Sequence, residues 1–277
     1  MLQVISASRR TDIPAWYARW LAARLREGSV EVQLPYGGRR LVSLQPEEVH
    51  TIVLWSKDFS PVLRNEGGVR TLLGRYEQLF CHFTITGLGG TPLEPRVPRW
   101  REALAQLPEV VELCGDPRRV VLRFDPIVHW YENGEVRSNL RFAEPIFQAA
   151  ARDGLEQVIF SFATLYPKVR RRWEHWYDPP LTEKLRIAAE LKELASSLGL
   201  ELRACAQPEL TQAGVRPARC IDGALLAKLH PRRLPAPQAR DRGQRPECLC
   251  TQSIDIGAYT MGCPGGCRYC YANPVRA

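Results

Sequence analysis

The sequence predicts an α/β protein built as a full or partial (β/α) barrel. Three observations carry this expectation. Short apolar runs bounded by turn residues recur along the whole chain. Amphipathic helical stretches alternate with them, and proline and glycine punctuate the junctions. Strand-then-helix repeated six or seven times implies parallel strands with helices outside. No G-x-G-x-x-G follows a strand, which weighs against a dinucleotide-binding sheet.

The strand runs fall at 2–7 (LQVISA), 51–56 (TIVLWS), 79–85 (LFCHFTI), 119–124 (RVVLRF), 157–163 (QVIFSFA), 200–205 (LELRAC) and 253–257 (SIDIG). Helical patterns cover 14–27, 61–77, 98–113, 139–153 and 181–198. Pro14, Pro61 and Pro98 stand at or near helix starts, where a missing N–H costs least. Gly28, Gly154 and Gly199 stand just past helix ends. A hairpin pairs 30–34 with 40–44 through Pro35-Tyr36-Gly37-Gly38. In chain order this makes a main barrel body over 1–206. A Cys-rich segment over 207–277, carrying the last strand, packs on the same domain.

Composition narrows the class. The 277 residues are 45% hydrophobic and 25% charged, proportions that argue for a globular chain and against disorder. No window approaches the roughly 20 consecutive apolar residues of a membrane span, so no membrane partner is expected. Residues 1–6 lack a charged region followed by an apolar core, which predicts a cytoplasmic protein without a secretory signal. The net charge of +8 is almost wholly arginine's, since only five of the 38 basic residues are lysine. Arginine's planar donor fork suits phosphates and carboxylates, so an anionic substrate or nucleic acid fits; Arg-rich usage is equally a trait of genome composition.

The cysteines are the sharpest signal. Six of nine lie at or after Cys220, and an odd total without an export signal favours metal or redox chemistry over disulfides. Cys263, Cys267 and Cys270 form a C-x3-C-x2-C loop containing Gly265 and Gly266. Three thiolates on one tight loop can hold three irons of a 4Fe–4S cubane and leave the fourth open, whereas ferredoxin clusters take four cysteines. A zinc knuckle completed by a further ligand is the alternative, though zinc favours C-x2-C or C-x4-C pairs.

With Tyr269 just before its last cysteine, this loop resembles the signature of the radical S-adenosylmethionine (radical SAM) superfamily. Together with Ile5–Pro14 and Asp255-Ile256-Gly257-Ala258-Tyr259, the chain resembles an uncharacterised bacterial family, a domain of unknown function with a radical-SAM-like cysteine cluster at its C-terminus. The resemblance implies a radical SAM enzyme that uses a 4Fe–4S cluster to cleave S-adenosylmethionine. A 5′-deoxyadenosyl radical would then act on a substrate the sequence does not name, and a low-potential electron donor would be needed. In the superfamily the cluster loop follows the first barrel strand. Here it follows 253–257, so a circularly permuted barrel is expected, with 253–257 beside 2–7 and with Cys267 and Ser8 on one face.

Barrel chemistry gathers at the C-terminal ends of strands. Those ends carry Ser8, Arg9, Arg10 and Asp12; Trp55 and Lys57; Thr84 and Thr86; and Arg123 and Asp125, with His129 beyond. If SAM binds, Arg9, Arg10 or Arg123 can pair with its carboxylate and Asp12 or Asp125 with its ammonium or ribose, while Trp55 can cover the adenine. The same residues also have structural readings: Arg9 with Asp12, and Arg123 with Asp125, as ion pairs, and Asp12 as a helix cap. Cys81 and Cys114 read as core residues.

Cys205, Cys220, Cys248 and Cys250 form a second set, suited to an auxiliary 4Fe–4S cluster, the favoured occupant, or to a tetrahedral zinc. Two function classes stand beside the enzyme. One is a metal-stabilised nucleic-acid-binding protein gripping phosphates through Arg232, Arg233, Arg240, Arg242 and Arg245. The other is an iron–sulfur electron-transfer or redox protein that ignores SAM.

Overall fold

The strands run, in chain order, β1 (Gln3–Ala7), β2 (Ser29–Gln33), β3 (Arg39–Ser43), β4 (Val49–Ser56), β5 (Leu79–Thr84), β6 (Val120–Ile127), β7 (His129–Glu132), β8 (Glu135–Ser138), β9 (Gln157–Phe162), β10 (Trp176–Tyr177), β11 (Glu201–Ala204), β12 (Arg216–Pro217) and β13 (Ile254–Asp255). The helices are α1 (Ile13–Trp16), α2 (Ala18–Glu27), α3 (Ser60–Leu63), α4 (Val69–Leu73), α5 (Trp100–Ala105), α6 (Leu107–Cys114), α7 (Ala143–Arg152), α8 (Pro167–Arg170), α9 (Leu181–Ser197) and α10 (Gly223–Leu229). This computed structural model describes residues 2–33, 37–272 and 274–275. The expected turn residues Pro35 and Tyr36 lie outside the described residues.

Eight strands form one parallel sheet in the order β12-β11-β9-β6-β5-β4-β1-β13. The near-continuous apolar runs follow from burial on both faces of a parallel sheet. One face packs under the helices: Ile5, Leu54, Phe83, Leu122 and Phe160 join Leu21, Leu107, Phe147 and Ile187 in the larger core. On the other face Val4, Val53, Phe80, Val121 and Ile159 meet Cys220, Ile221, Leu226 and Leu229. That inner face is therefore covered by the chain's own 218–250 segment. His82 Nε2 donates to the Cys220 carbonyl at 2.6 Å, and Gln78 Nε2 donates to the Leu226 carbonyl at 3.0 Å.

The sheet corrects the full-barrel expectation. Among the described residues no ladder joins β12 to β13, so the architecture is α/β with a large parallel sheet. Between the two edge segments, Thr251 N donates to the Ile221 carbonyl at 2.8 Å. The expected strand 253–257 shortens to β13, and it pairs with β1 as expected, Ile5 opposite Ile254 and Ser6 opposite Asp255.

Several expected helices are broken, and the sequence explains two of the breaks. Gly67 and Gly68, both with positive φ, interrupt 61–77, a conformation glycine adopts without steric cost. Pro108 opens α6 and cannot donate back into α5. The stretch 14–27 divides at Tyr17, whose backbone leaves helical geometry. The hairpin β7–β8, with β10 beside β7, has no counterpart among the expected elements. Its turn is Asn133-Gly134, both at positive φ, the dipeptide that two-residue hairpins favour. Among the described residues no helix is long and apolar enough to cross a membrane.

His129, on β7, is buried between the rings of Phe162 and Tyr177, and burial holds its imidazole down at about 4. The unfolded chain, titrating near 6.5, takes up its proton first as pH falls. This contribution to stability is thus complete above pH 6.5 and is lost as pH drops toward 4. Urea titrations across that window should show a slope of at most about 1.4 kcal/mol per pH unit from this group. The slope should flatten in His129→Gln, with other buried histidines cancelling in the difference.

Candidate functional site

Parallel strands put all their C-terminal ends on one side, and the sequence-predicted residues collect there. Ser8, Arg9, Arg10 and Asp12 follow β1; Trp55 and Lys57 end β4; Thr84 and Thr86 end β5; Arg123 and Asp125 lie in β6. Asp255 ties the first group to the last strand. Its carboxylate accepts from Ser6 Oγ (3.1 Å), Ser8 Oγ (2.5 Å), Arg9 N (2.9 Å) and Gly257 N (3.0 Å). Gly257 is required there, since a Cβ would stand 2.1 Å from Ser8 Oγ.

The Cys263–Cys270 loop lies over these ends, on the same side as Ser8. Tyr17 Oη donates to the Gly262 carbonyl (2.6 Å), Arg96 to that of Pro264 (3.0 Å), and Arg172 to those of Cys270 and Ala272. Arg268 N donates to the Leu93 carbonyl at 3.0 Å. At the centre is Glu94, 1% exposed, whose Oε1 accepts from Lys57 Nζ (2.9 Å), Thr86 Oγ1 (2.6 Å) and Tyr269 Oη. Glu94 escaped the sequence reading. Its signal was its position as the lone acid in the Gly- and Pro-rich run 87–98.

The thiols are held in a donor-rich shell. Backbone N–H groups of Asp12 and Gly265 donate to Cys263, and that of Ala272 to Cys270. Burial nonetheless pushes the Cys263 thiol up to about 11, and raises Cys267 and Cys270 as well. Gly266, at φ +69, turns the loop between Cys263 and Cys267. Lys57 beside Cys267 and Arg172 beside Cys270 offset that burial only in part.

The other predicted groups are already engaged. Asp12 caps α1 through Ala15 N (3.1 Å) and accepts from Ser56 Oγ (2.6 Å) and Lys57 N (2.9 Å); burial raises its carboxyl to about 6. It makes no ion pair with Arg9, which instead bonds Ser253 Oγ (2.8 Å) and lies 3.6 Å from Asp241. Arg123 pairs with Asp125, whose other oxygen accepts from Ser161. Trp55 stacks on His82 at 4.1 Å, with the guanidiniums of Arg9 and Arg123 at 5.6 and 5.4 Å from its ring. Arg10 donates to the Gly257 carbonyl (3.1 Å), and among the described residues no carboxylate pairs with it. Thr84 stands opposite Arg123 in the ladder. Cys205, Cys220, Cys248 and Cys250 come together on the inner face of the sheet, while Cys81 and Cys114 face each other in the helix-side core, 3.1 Å apart. Among the described residues, no three His, Cys, Asp or Glu side chains already surround a common point as metal ligands.

Fold and site together define an α/β protein with a cysteine loop seated over the C-terminal ends of a parallel sheet. The chain belongs to the family described as a domain of unknown function (DUF1848), which matches residues 4–272. No curated protein matches it. Solved structures similar to it include a morphinone reductase N189A mutant in complex with tetrahydroNAD, at 14% identity and a TM-score of 0.32, covering 78% of this chain and 54% of that one. Another is a quadruple mutant of the α-N-acetylgalactosaminidase NagBb from Bifidobacterium bifidum, at 12% identity and a TM-score of 0.33, covering 74% and 40%. The chain spans about half the length of these proteins or less, and likeness at such scores carries no argument.

The Lys57–Glu94 pair generates a prediction. Removing one partner of a buried pair strands the other charge, so Glu94→Ala should cost about 3–5 kcal/mol. Lys57→Met combined with Glu94→Leu should cost clearly less than Glu94→Ala alone. Guanidinium unfolding of the three proteins measures this, and equal losses would show that the charge balance is not what Glu94 provides.

Proposed function

We propose that the protein is a radical SAM enzyme whose 4Fe–4S cluster is held by Cys263, Cys267 and Cys270. The observation that carries this reading is the seating of the C-x3-C-x2-C loop. It directly follows the strand paired with β1, and it lies above the strand ends where α/β sheets place their chemistry. The finer fold reading belongs to the same proposal: a partial barrel, circularly permuted so that β13 takes the place of the first strand.

The residues present fit such a cluster. Three thiols stand on one glycine-turned loop, two of them already accept backbone N–H bonds, and Lys57 supplies a nearby positive charge to Cys267. Donors of this kind tune and orient cysteine ligands. A cluster bound there supplies an electron and an open iron for the amino and carboxylate groups of S-adenosylmethionine, the chemistry of reductive sulfonium cleavage.

The chain's own work is positioning and exclusion of water. Tyr17, Arg96 and Arg172 clamp the loop, and the Glu94 network fixes Tyr269 under it. Arg10 is the cation we assign to the SAM carboxylate, because Arg123 is committed to Asp125 and Asp12 to its helix. The substrate, one that an arginine-rich surface suits, is anionic in this reading.

The test is anaerobic reconstitution with iron and sulfide, reduction, and EPR with and without SAM. The expected result is a signal that changes on adding SAM, with 5′-deoxyadenosine formed. Cys267→Ala should abolish both and keep the fold. Arg10→Ala should raise the SAM concentration required about 10- to 100-fold, the worth of a hydrogen bond to a charged group. A reducible cluster whose spectrum ignores SAM would replace this reading with electron transfer.

A further inference from the structure

Four thiols from three separate segments meet on the inner face of the sheet, away from the loop just described. Cys205 follows β11, Cys220 follows β12, and Cys248 and Cys250 precede β13. The sulfurs of Cys205 and Cys220 lie 3.6 Å apart. Cys250 and Cys248 pack in the same cluster as Cys205 and Cys220. Ile221 N donates to Cys250 Sγ at 3.4 Å.

Two arginines face this group. Arg123 Nη1 donates to Cys220 Sγ at 3.0 Å. Arg9 lies beside Cys250 and Cys220, and its buried Nε and Nη1 have no hydrogen-bond partner. A guanidinium does not shed its charge inside a protein, so two fixed positive charges stand against four acidic thiols. Asp125 pairs with Arg123 and Asp241 lies 3.6 Å from Arg9, and the thiols face the other side of both guanidiniums.

We propose that Cys205, Cys220, Cys248 and Cys250 form a tetrathiolate site for a single zinc ion that closes the seam between the two edges of the sheet. The 3.6 Å separation of Cys205 and Cys220 suits one ion better than a second cubane. Zinc–sulfur bonds of about 2.3 Å in a tetrahedron place neighbouring sulfurs about 3.8 Å apart. A cubane instead puts each cysteine on a different iron and spreads the sulfurs wider. Four thiols that lose their protons to hold Zn²⁺ leave a net charge of −2, which faces the guanidiniums of Arg9 and Arg123 beside their carboxylate partners Asp241 and Asp125. Cys205 and Cys220 now touch, so binding turns their thiols from one another toward the ion, with release of protons. The consequence is mechanical, because among the described residues β12 and β13 share no ladder, and the ligands lie beyond β11 and β12 and before β13.

The experiment uses the full chain carrying Cys263→Ala, Cys267→Ala and Cys270→Ala, so that a failure of the radical SAM reading leaves it untouched. Stripped of metal under reducing anaerobic conditions, this protein is titrated with Co²⁺. We expect one cobalt per chain with the sulfur-to-metal and intense visible bands of tetrahedral thiolate ligation, displaced by Zn²⁺. Adding Cys220→Ser, or Cys248→Ser should the first not fold, should weaken cobalt binding by more than about 100-fold, beyond the loss of a supporting contact. A folded protein that takes up no cobalt would overturn the proposal. So would a cobalt spectrum indifferent to both serine variants, or uptake of about four irons with sulfide at these cysteines.

Discussion

The pairing of β13 with β1 is the constraint on which the rest depends. It joins residues near 255 to residues near 6 and places the loop of Cys263, Cys267 and Cys270 above the strand ends. Asp255 secures the junction by accepting from two serines and two backbone amides. A carboxylate so satisfied holds β1 and β13 in one register, and a parallel ladder with only two paired positions needs that help. Without it, Arg9 and Arg10 would lose their orientation along with the cysteines.

Charge is the second organising fact. Burial disfavours the ionised form of Arg9 and Arg123, yet each is held charged by neighbours that include thiols of the inner set. The Cys263 loop instead meets Lys57 and Glu94, a pair shared with Thr86 and Tyr269. The two cysteine groups therefore sit in different fields. One faces two arginines, each also beside a carboxylate. The other is a loop of raised thiols fastened by backbone carbonyls, open to a cofactor that brings its own charge.

Much of the sheet was legible because its central strands are buried on both faces and so read as apolar runs. Strand ends were legible because Pro and Gly mark them. The strand-end polar residues were found where expected. Asp12 as a helix cap and Arg123 with Asp125 as an ion pair were among the readings their positions offered, whereas Trp55 as a partner of His82 and two arginines was not. Glu94 and the Asn133-Gly134 hairpin had local signals, a lone acid and a turn dipeptide, that carried no weight until their neighbours were known.

By itself the sequence determined the parallel α/β class, the C-x3-C-x2-C loop and the existence of two cysteine sets. These are local matters of periodicity and spacing, which neighbouring residues along the chain decide. Only the tertiary structure decided that Asp255 fastens β13 to Ser6, Ser8 and Arg9, that among the described residues no ladder joins β12 to β13, and that Cys205 meets Cys220 against Arg123. Those contacts join residues up to 249 positions apart. No local pattern encodes them, because they are set by which buried surfaces fit and which buried charges must be balanced.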